Sequence, residues 1–465
     1  MSGCYACARI KCRMLLRVSQ SLRSSVLRSL RHRNFRLFTL GQSISLIGTW
    51  MQQVAVGWLV YRMTGSPLLL GVMSFAASGP TFFLAPMAGA VADRAHRHRL
   101  LVIVQSLMMV QSFVLAALVL SGKVEIWHLI LLSGCLGCLS AFDIPIRQSF
   151  LVEMVEGRED LSNAIALNSS MFNAARLVGP AIAGFAIGAF GEGWTILINA
   201  VSYVAVLIAL LAMRVTKRVL PENYEPMLRR IREGFHYVFN FMTVRAVLAL
   251  VAVVSLLGVP FTVFLPVIAA DVLHGNAKTL GLLTSATGLG ALSAALFLAS
   301  RRSVRGLGRL IVASATLFGG AIVGLALSRT LLLSLIVLAL AGFGMMLQMA
   351  SSNTFLQTVV DDDKRGRVLS LYTMAYIGVS PIGSLLAGWV AQRIGVPWTL
   401  ALGGSVCVLA ASWFAMQMPR FRAEVRPIYH RMGIIPEVAT GIQAATQTTT
   451  SEETGSTRTS PAPGS

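Results

Sequence analysis

Residues Gly89 to Arg99 read GAVADRAHRHR, four charged side chains and two histidines set between two long apolar stretches. Charge is scarce elsewhere. Only 12% of the 465 residues are Asp, Glu, Lys or Arg, against about 25% in a typical soluble domain. Hydrophobic residues make up 55%, with a mean hydropathy of +0.70. Such a chain has too little polar surface to cover a water-soluble globule. Apolar runs of about 20 residues, each able to cross ~30 Å of hydrocarbon, recur along it. The composition predicts an all-α polytopic membrane protein, and the charged turn is then a loop between two spans.

Working outward from that loop, twelve spans are expected near 37–61, 68–91, 100–120, 127–147, 163–189, 194–213, 246–270, 280–300, 308–327, 331–356, 368–392 and 397–418. With the N-terminus inside, 33 of the 39 Lys and Arg fall on cytoplasmic segments. Five (Arg62, Lys123, Lys278, Arg329 and Arg393) fall on outer loops, and Arg176 lies within a span. Loop bias of this kind sets membrane orientation, so both termini are expected in the cytoplasm. The net charge of +20 then reports topology and attraction to the membrane surface rather than nucleic acid.

The expected division is a basic cytoplasmic tail (1–34), a six-helix bundle (35–213), a cytoplasmic linker (214–245), a second six-helix bundle (246–418) and a disordered cytoplasmic tail (419–465). Leu15, Val18, Leu22, Val26 and Leu30 fall at helical spacing among arginines, the pattern of a helix lying on an anionic leaflet. MLRRIREGFHYVF in the linker has the same character. Cys135, Cys138 and Cys407 lie inside spans, and Cys4 and Cys7 form a CxxC with Cys12 following but no second pair nearby. No metal or cofactor is expected.

The two bundles echo one another. FLVEMVEGR from Phe150 corresponds to FLQTVVDDDKR from Phe355, and GPAIAG at 179–184 to SPIGSLLAG at 380–388. Both echoes follow an even number of spans, so the repeat is parallel, the plan of many secondary transporters with their site near mid-membrane.

The spacing GxxxDRxxRxR, filled here by Gly89, Asp93, Arg94, Arg97 and Arg99, resembles the loop signature of the major facilitator superfamily; His96 stands where that pattern carries glycine. SAFDIPIRQSFLVEMVEGREDLSNAIALNSSMFNAARLVGPAIAG, Ser140 to Gly184, resembles the branch of enterobactin exporters and macrolide-efflux proteins. LIGTWMQQVAVGWLVYRMTGSPLLLGV from Leu46 and RGRVLSLYTMAYIGVSPIGSLLAGW from Arg365 agree with it. The resemblance covers about residues 33–418. It implies the major facilitator fold, residence in the bacterial inner membrane and proton-driven antiport of a small molecule.

In chemical terms, Asp93 can pair with Arg97 one turn on or sit at the positive end of a helix in the other half, latching the cytoplasmic face in one conformation. The resemblance adds Asp143 and Arg147 to this gate, the alternative being a local Asp143–Arg147 pair. Gly179, Pro180 and Gly184 form either a hinge or a packing kink. Arg176, near mid-span, costs roughly 2.5–3.5 kcal/mol on insertion scales unless it faces protein or water. With Asn168, Asn173 and Asn199 it is expected to offer donors to an anionic or carbonyl-rich cargo, the alternative being a bond to backbone carbonyls. Gln42, Ser45, Thr49 and Gln52 make one polar stripe, expected to face an aqueous cavity that Gln348 and Ser352 complete from the other half.

No GxxxxGK[ST] occurs, so ATP hydrolysis by this chain is not expected. Asp143 is the best candidate to carry a coupled proton. The reading is an exporter of a small amphipathic molecule, siderophore-like or macrolide-like, acting as a monomer. An importer of a nutrient or iron chelate is the alternative. A membrane enzyme would need clustered His, Asp or Glu at one face, and the seven histidines are scattered. A transceptor without transport is a minor alternative.

Overall fold

The computed structural model describes residues 28–155, 157–214, 238, 241–301 and 304–431. Within its helices it leaves out the side chains of 85, 86, 89, 90, 92–94, 158, 362, 363, 430 and 431. Every regular element among the described residues is helical. In chain order these are α1 (Arg33–Thr64), α2 (Pro67–Arg94), α3 (Arg97–Leu120), α4 (Ile126–Leu151), α5 (Arg158–Phe190) and α6 (Glu192–Leu211). There follow α7 (Met242–Val272), α8 (Ala277–Ser300), α9 (Leu307–Leu327), α10 (Leu331–Val359), α11 (Lys364–Ile394), α12 (Val396–Met416) and α13 (Met418–Arg431). Eleven of them, α2 to α12, are long and apolar enough to cross a membrane. At 32 residues α1 is long enough too, but its glutamines, serines and arginines dilute its apolar character.

Turn chemistry separates the helices where the sequence signals it. Gly65 closes α1 in the left-handed region, φ 59°, and Ser66 caps α2 with Pro67 in its first turn. Gly191 and Gly395, both at φ 85°, form the one-residue turns between α5 and α6 and between α11 and α12. They lie 204 residues apart, the period of the sequence echoes.

Small residues set the packing. In the first half α1 packs on α5 and α6, α2 on α4, and α3 on α4 and α6. In the second, α8 packs on α10, α9 on α10 and α12, and α7 on α11 and α12. Two seams join the halves, α2 against α11 and α5 against α8. A Cβ at Gly71 would come within 2.5 Å of the Ser384 carbonyl, and one at Gly281 within 2.6 Å of that of Pro180. These close approaches run from the face away from the termini inward to Gly378 on Phe82 and Gly288 on the Arg176 main chain. The opposite end, where the described chain starts and finishes, is called the terminal face below.

Two of the helices are not plain spans. α7 contains π-turns at Val254–Gly258 and Ile268–Val272 around a 3-10 stretch, and α11 contains one at Met374–Gly378. Pro260, Pro266 and Pro381 explain the breaks, since each removes a backbone donor and crowds the carbonyl four residues earlier. A further departure concerns the C-terminal tail, expected to be irregular from residue 419. Its first part is the helix α13, with Phe421 and Val425 buried one turn apart. Glu424 accepts hydrogen bonds from the Met242 and Thr243 amides, capping α7. At the other terminus Arg28 reaches Asp160 at 2.6 Å, and Ser29 is buried against Asn163, so the end of the basic tail is docked on α5. The proposed surface helices of the N-terminal tail and linker, and Cys4, Cys7 and Cys12, lie outside the described residues.

Candidate functional site

At mid-depth, where the two seams end, α5 carries Arg176. Its guanidinium carbon stands 5.8 Å from the centre of the Trp50 ring on α1, within cation–π range. Trp50 in turn meets Phe172 edge-on at 6.0 Å. From the second half, Tyr376 on the π-turn of α11 interacts electrostatically with Arg176. The Tyr376 carbonyl accepts a bond from Ser255 on α7, fixing that turn. No ion pair is formed by Arg176 among the described residues. A cation without a counter-ion, set against the Trp50 ring with the Tyr376 phenol in its electrostatic surroundings, can bind a molecule with both apolar surface and carboxylate or carbonyl oxygens.

The other expected cargo residues are distributed differently. Asn199 donates to the Gln52 side chain at 2.7 Å and Ser202 to the Asn199 carbonyl at 2.7 Å, all buried between α1 and α6. Gln42 is buried with an unpartnered Oε1, and Thr49 donates to the Ser45 carbonyl. The polar stripe of α1 is therefore turned onto α6, not onto an aqueous space. The reason is Gly48, which lets the Asn199 and Ser202 region approach within van der Waals contact. Gln348 and Ser352 bond each other at 3.4 Å, both buried in the second half. Asn173 spends its amide on the Ser169 carbonyl. Asn168, about two turns from Arg176 toward the terminal face, keeps a buried Oδ1 without a partner.

Gly179 and Gly184 serve separate contacts. A Cβ on Gly179 would press on Trp50 at 2.6 Å, and one on Gly184 on the Ala277 carbonyl at 2.9 Å. The helix runs unbroken through Pro180 between them.

At the terminal face the charged turn is short. α2 ends at Arg94 and α3 begins at Arg97; the side chains of Gly89, Asp93 and Arg94 lie outside those described. Arg97 pairs with Glu153 at 2.9 Å and bonds the Ser149 carbonyl at 3.2 Å. Arg99 is exposed, and His98 bonds the Leu210 carbonyl. Asp143 pairs with Arg147 at 3.1 Å and accepts from Gln105 at 2.7 Å. Glu153, absent from the expected gate, sits in the FLVEMVEGR echo, where a second acid beside the basic turn was the available signal.

The opposite face is tied across the halves. Tyr61 at the end of α1 donates to Asp271 at the end of α7, and Ser66 bonds Gln392 at 3.0 Å. Arg62 pairs with Glu192 within the first half. Sequence reading missed Tyr61, Asp271 and Tyr376. The first two are ordinary residues at span ends. Tyr376 stands four residues after Tyr372 and just before Pro381 inside an apolar run, which was a usable signal.

Residues 24–441 match the family described as transmembrane secretion effectors. The chain belongs to this family, within the major facilitator superfamily. Relatives of the chain include a staphyloferrin A transporter of Staphylococcus aureus, 27% identical over 84% of this chain and 98% of that protein. The multidrug efflux pump Tap of Mycolicibacterium fortuitum is 26% identical, covering 81% of this chain and 93% of the pump. Macrolide efflux protein A of Streptococcus pyogenes is 22% identical, covering 80% and 92%. Among solved structures, an inward-facing, occupied bacterial homolog of the human lysosomal transporter Spinster superposes with a TM-score of 0.65 at 14% identity, covering 85% of this chain and 98% of that one. The fold is thus that of known transporters. The protein is a secondary transporter of this superfamily, embedded in the membrane and acting on a small molecule.

Proposed function

We propose that this secretion effector exports an amphipathic, carboxylate- or carbonyl-rich small molecule, siderophore-like or macrolide-like, from the cytoplasm of a bacterium by alternating access. All thirteen helices except α13 then span the inner membrane, with both termini cytoplasmic and two six-helix halves. The terminal face is the cytoplasmic one, and this conformation is closed outside and open inside. The observation that carries the reading is Arg176: a mid-membrane cation without a counter-ion, between Trp50 of one half and Tyr376 of the other. Asn168, with its free carbonyl, lies on the way from the cytoplasm. Efflux and siderophore transport among the relatives support the cargo class.

Exchange for protons provides the drive in this reading, with Asp143 as the carrier. Its contacts to Gln105 and Arg147 stay within the first half, so in this reading they are exchanged for other partners when the cytoplasmic face closes. The gate of Asp93, Arg94, Arg97, Asp143 and Arg147 closes the cytoplasmic face in the other half of the cycle, and Gly179, Pro180 and Gly184 flex as α5 moves.

The test compares small molecules in the spent medium and cytosol of iron-starved cells with and without the gene, by mass spectrometry. Export predicts a metabolite that vanishes from the medium and builds up inside the deletion strain; the reverse pattern would make the protein an importer. Arg176→Ala at unchanged expression is expected to lower export at least tenfold, and Arg176→Lys less. Retained export by Arg176→Ala would overturn the assignment of that site.

A further inference from the structure

A pocket of about 390 Å³ opens at the terminal face between α13 and the ends of α7, α9, α10 and α12. Its floor is apolar, with Leu307, Phe355 and Phe414 among its lining, and its rim carries Arg309, Arg422 and Arg426. All three arginines are exposed and have no carboxylate partner among the described residues. The nearby acid, Glu424, is occupied at the start of α7. The α9 N-terminus, with Gly306 at φ 78°, opens onto the same rim and adds its positive end.

Three unpaired guanidinium groups above an apolar floor match one kind of ligand, an anion with a hydrocarbon tail. The surroundings say where such a ligand comes from. Trp413 and Met416 at the end of α12 stay 45% and 71% exposed, as residues facing the interfacial region and acyl chains do. α13 buries Phe421 and Val425 against the ends of the bundle helices while leaving Arg422 and Arg426 outward at the pocket rim. Loop arginines that only satisfied membrane orientation would not need to converge on an apolar pocket.

We infer that this pocket binds an anionic phospholipid, its phosphate held by Arg309, Arg422 and Arg426 and part of an acyl chain resting on Leu307, Phe355 and Phe414. The lipid fastens α13 across the ends of α7 and α9, and it does so whatever the direction of transport.

The test is native mass spectrometry of the purified full-length protein in detergent, titrated with dioleoyl phosphatidylglycerol, dioleoyl phosphatidylethanolamine or inorganic phosphate. Phosphatidylglycerol is expected to be retained well above phosphatidylethanolamine. The double variant Arg422→Gln, Arg426→Gln is expected to lower that retention by about fivefold per arginine removed, with partial recovery in Arg422→Lys, Arg426→Lys. Arg420→Gln, on the same helix but outside the pocket, is the control and should leave retention within about twofold, as removal of an exposed charge away from the phosphate does. Unchanged retention in the double Gln variant, an equal fall in Arg420→Gln, or full displacement by inorganic phosphate alone would each overturn the proposal.

Discussion

At the face away from the termini the halves hold each other: Tyr61 bonds Asp271, Ser66 bonds Gln392, and glycines let α2 meet α11 and α5 meet α8 backbone to backbone. At the terminal face the described ion pairs Arg28–Asp160, Arg97–Glu153 and Asp143–Arg147 each close within the first half. The difference teaches how one chain can have two stable shapes. Bonds across the seam must be surrendered when that face opens, whereas charges parked inside one half are free to be exchanged for partners across the gap.

The largest break in this comparison should come from the glycine seam. Gly71→Leu forces a side chain against the Ser384 carbonyl; overpacking of this kind costs about 1–3 kcal/mol. Cysteine labelling on the face away from the termini should rise and transport should fall at least tenfold. Gly320→Leu, where a Cβ meets nothing within 4 Å, should leave both unchanged.

Tyr61→Phe removes one bond to a carboxylate that is itself exposed. A loss of about 1 kcal/mol is expected, shifting the balance of conformations about fivefold toward outward opening, read by the same labelling. Glu153→Gln acts on the other face. It releases Arg97 from its charged partner, worth roughly 0.5–1 kcal/mol for a partly exposed pair, and should shift the balance toward closure of the terminal face. Gln392→Ala, which removes an exposed bond, should move thermal stability and labelling least, by under about 0.5 kcal/mol.

The sequence made the helices and their order legible because length and apolarity decide membrane spans. Arg176 stood out in the sequence because a charge in mid-span is costly, and the structure places it against Trp50. The stripe Gln42, Ser45, Thr49 and Gln52 misled, because helical spacing shows that polar residues share a face without showing what covers it. Here Asn199 and Ser202 cover it. Asp271 was hidden because it gains its meaning from Tyr61, 210 residues away, and the partner of Tyr376 is Arg176, 200 residues away. α13 was missed because a polar tail conceals two buried apolar residues and one capping acid.

The two faces can be measured against each other with spin labels in one protein reconstituted in liposomes. One pair would sit at Lys123 and Thr330 on the face away from the termini, another at Arg99 and Gln357 on the terminal face, and distances would be read by pulsed electron resonance with and without Tyr61→Phe. Alternating access predicts that the substitution lengthens the first distance and shortens the second within the same population of molecules. Distances that both lengthen, or that change at one face alone, would contradict it.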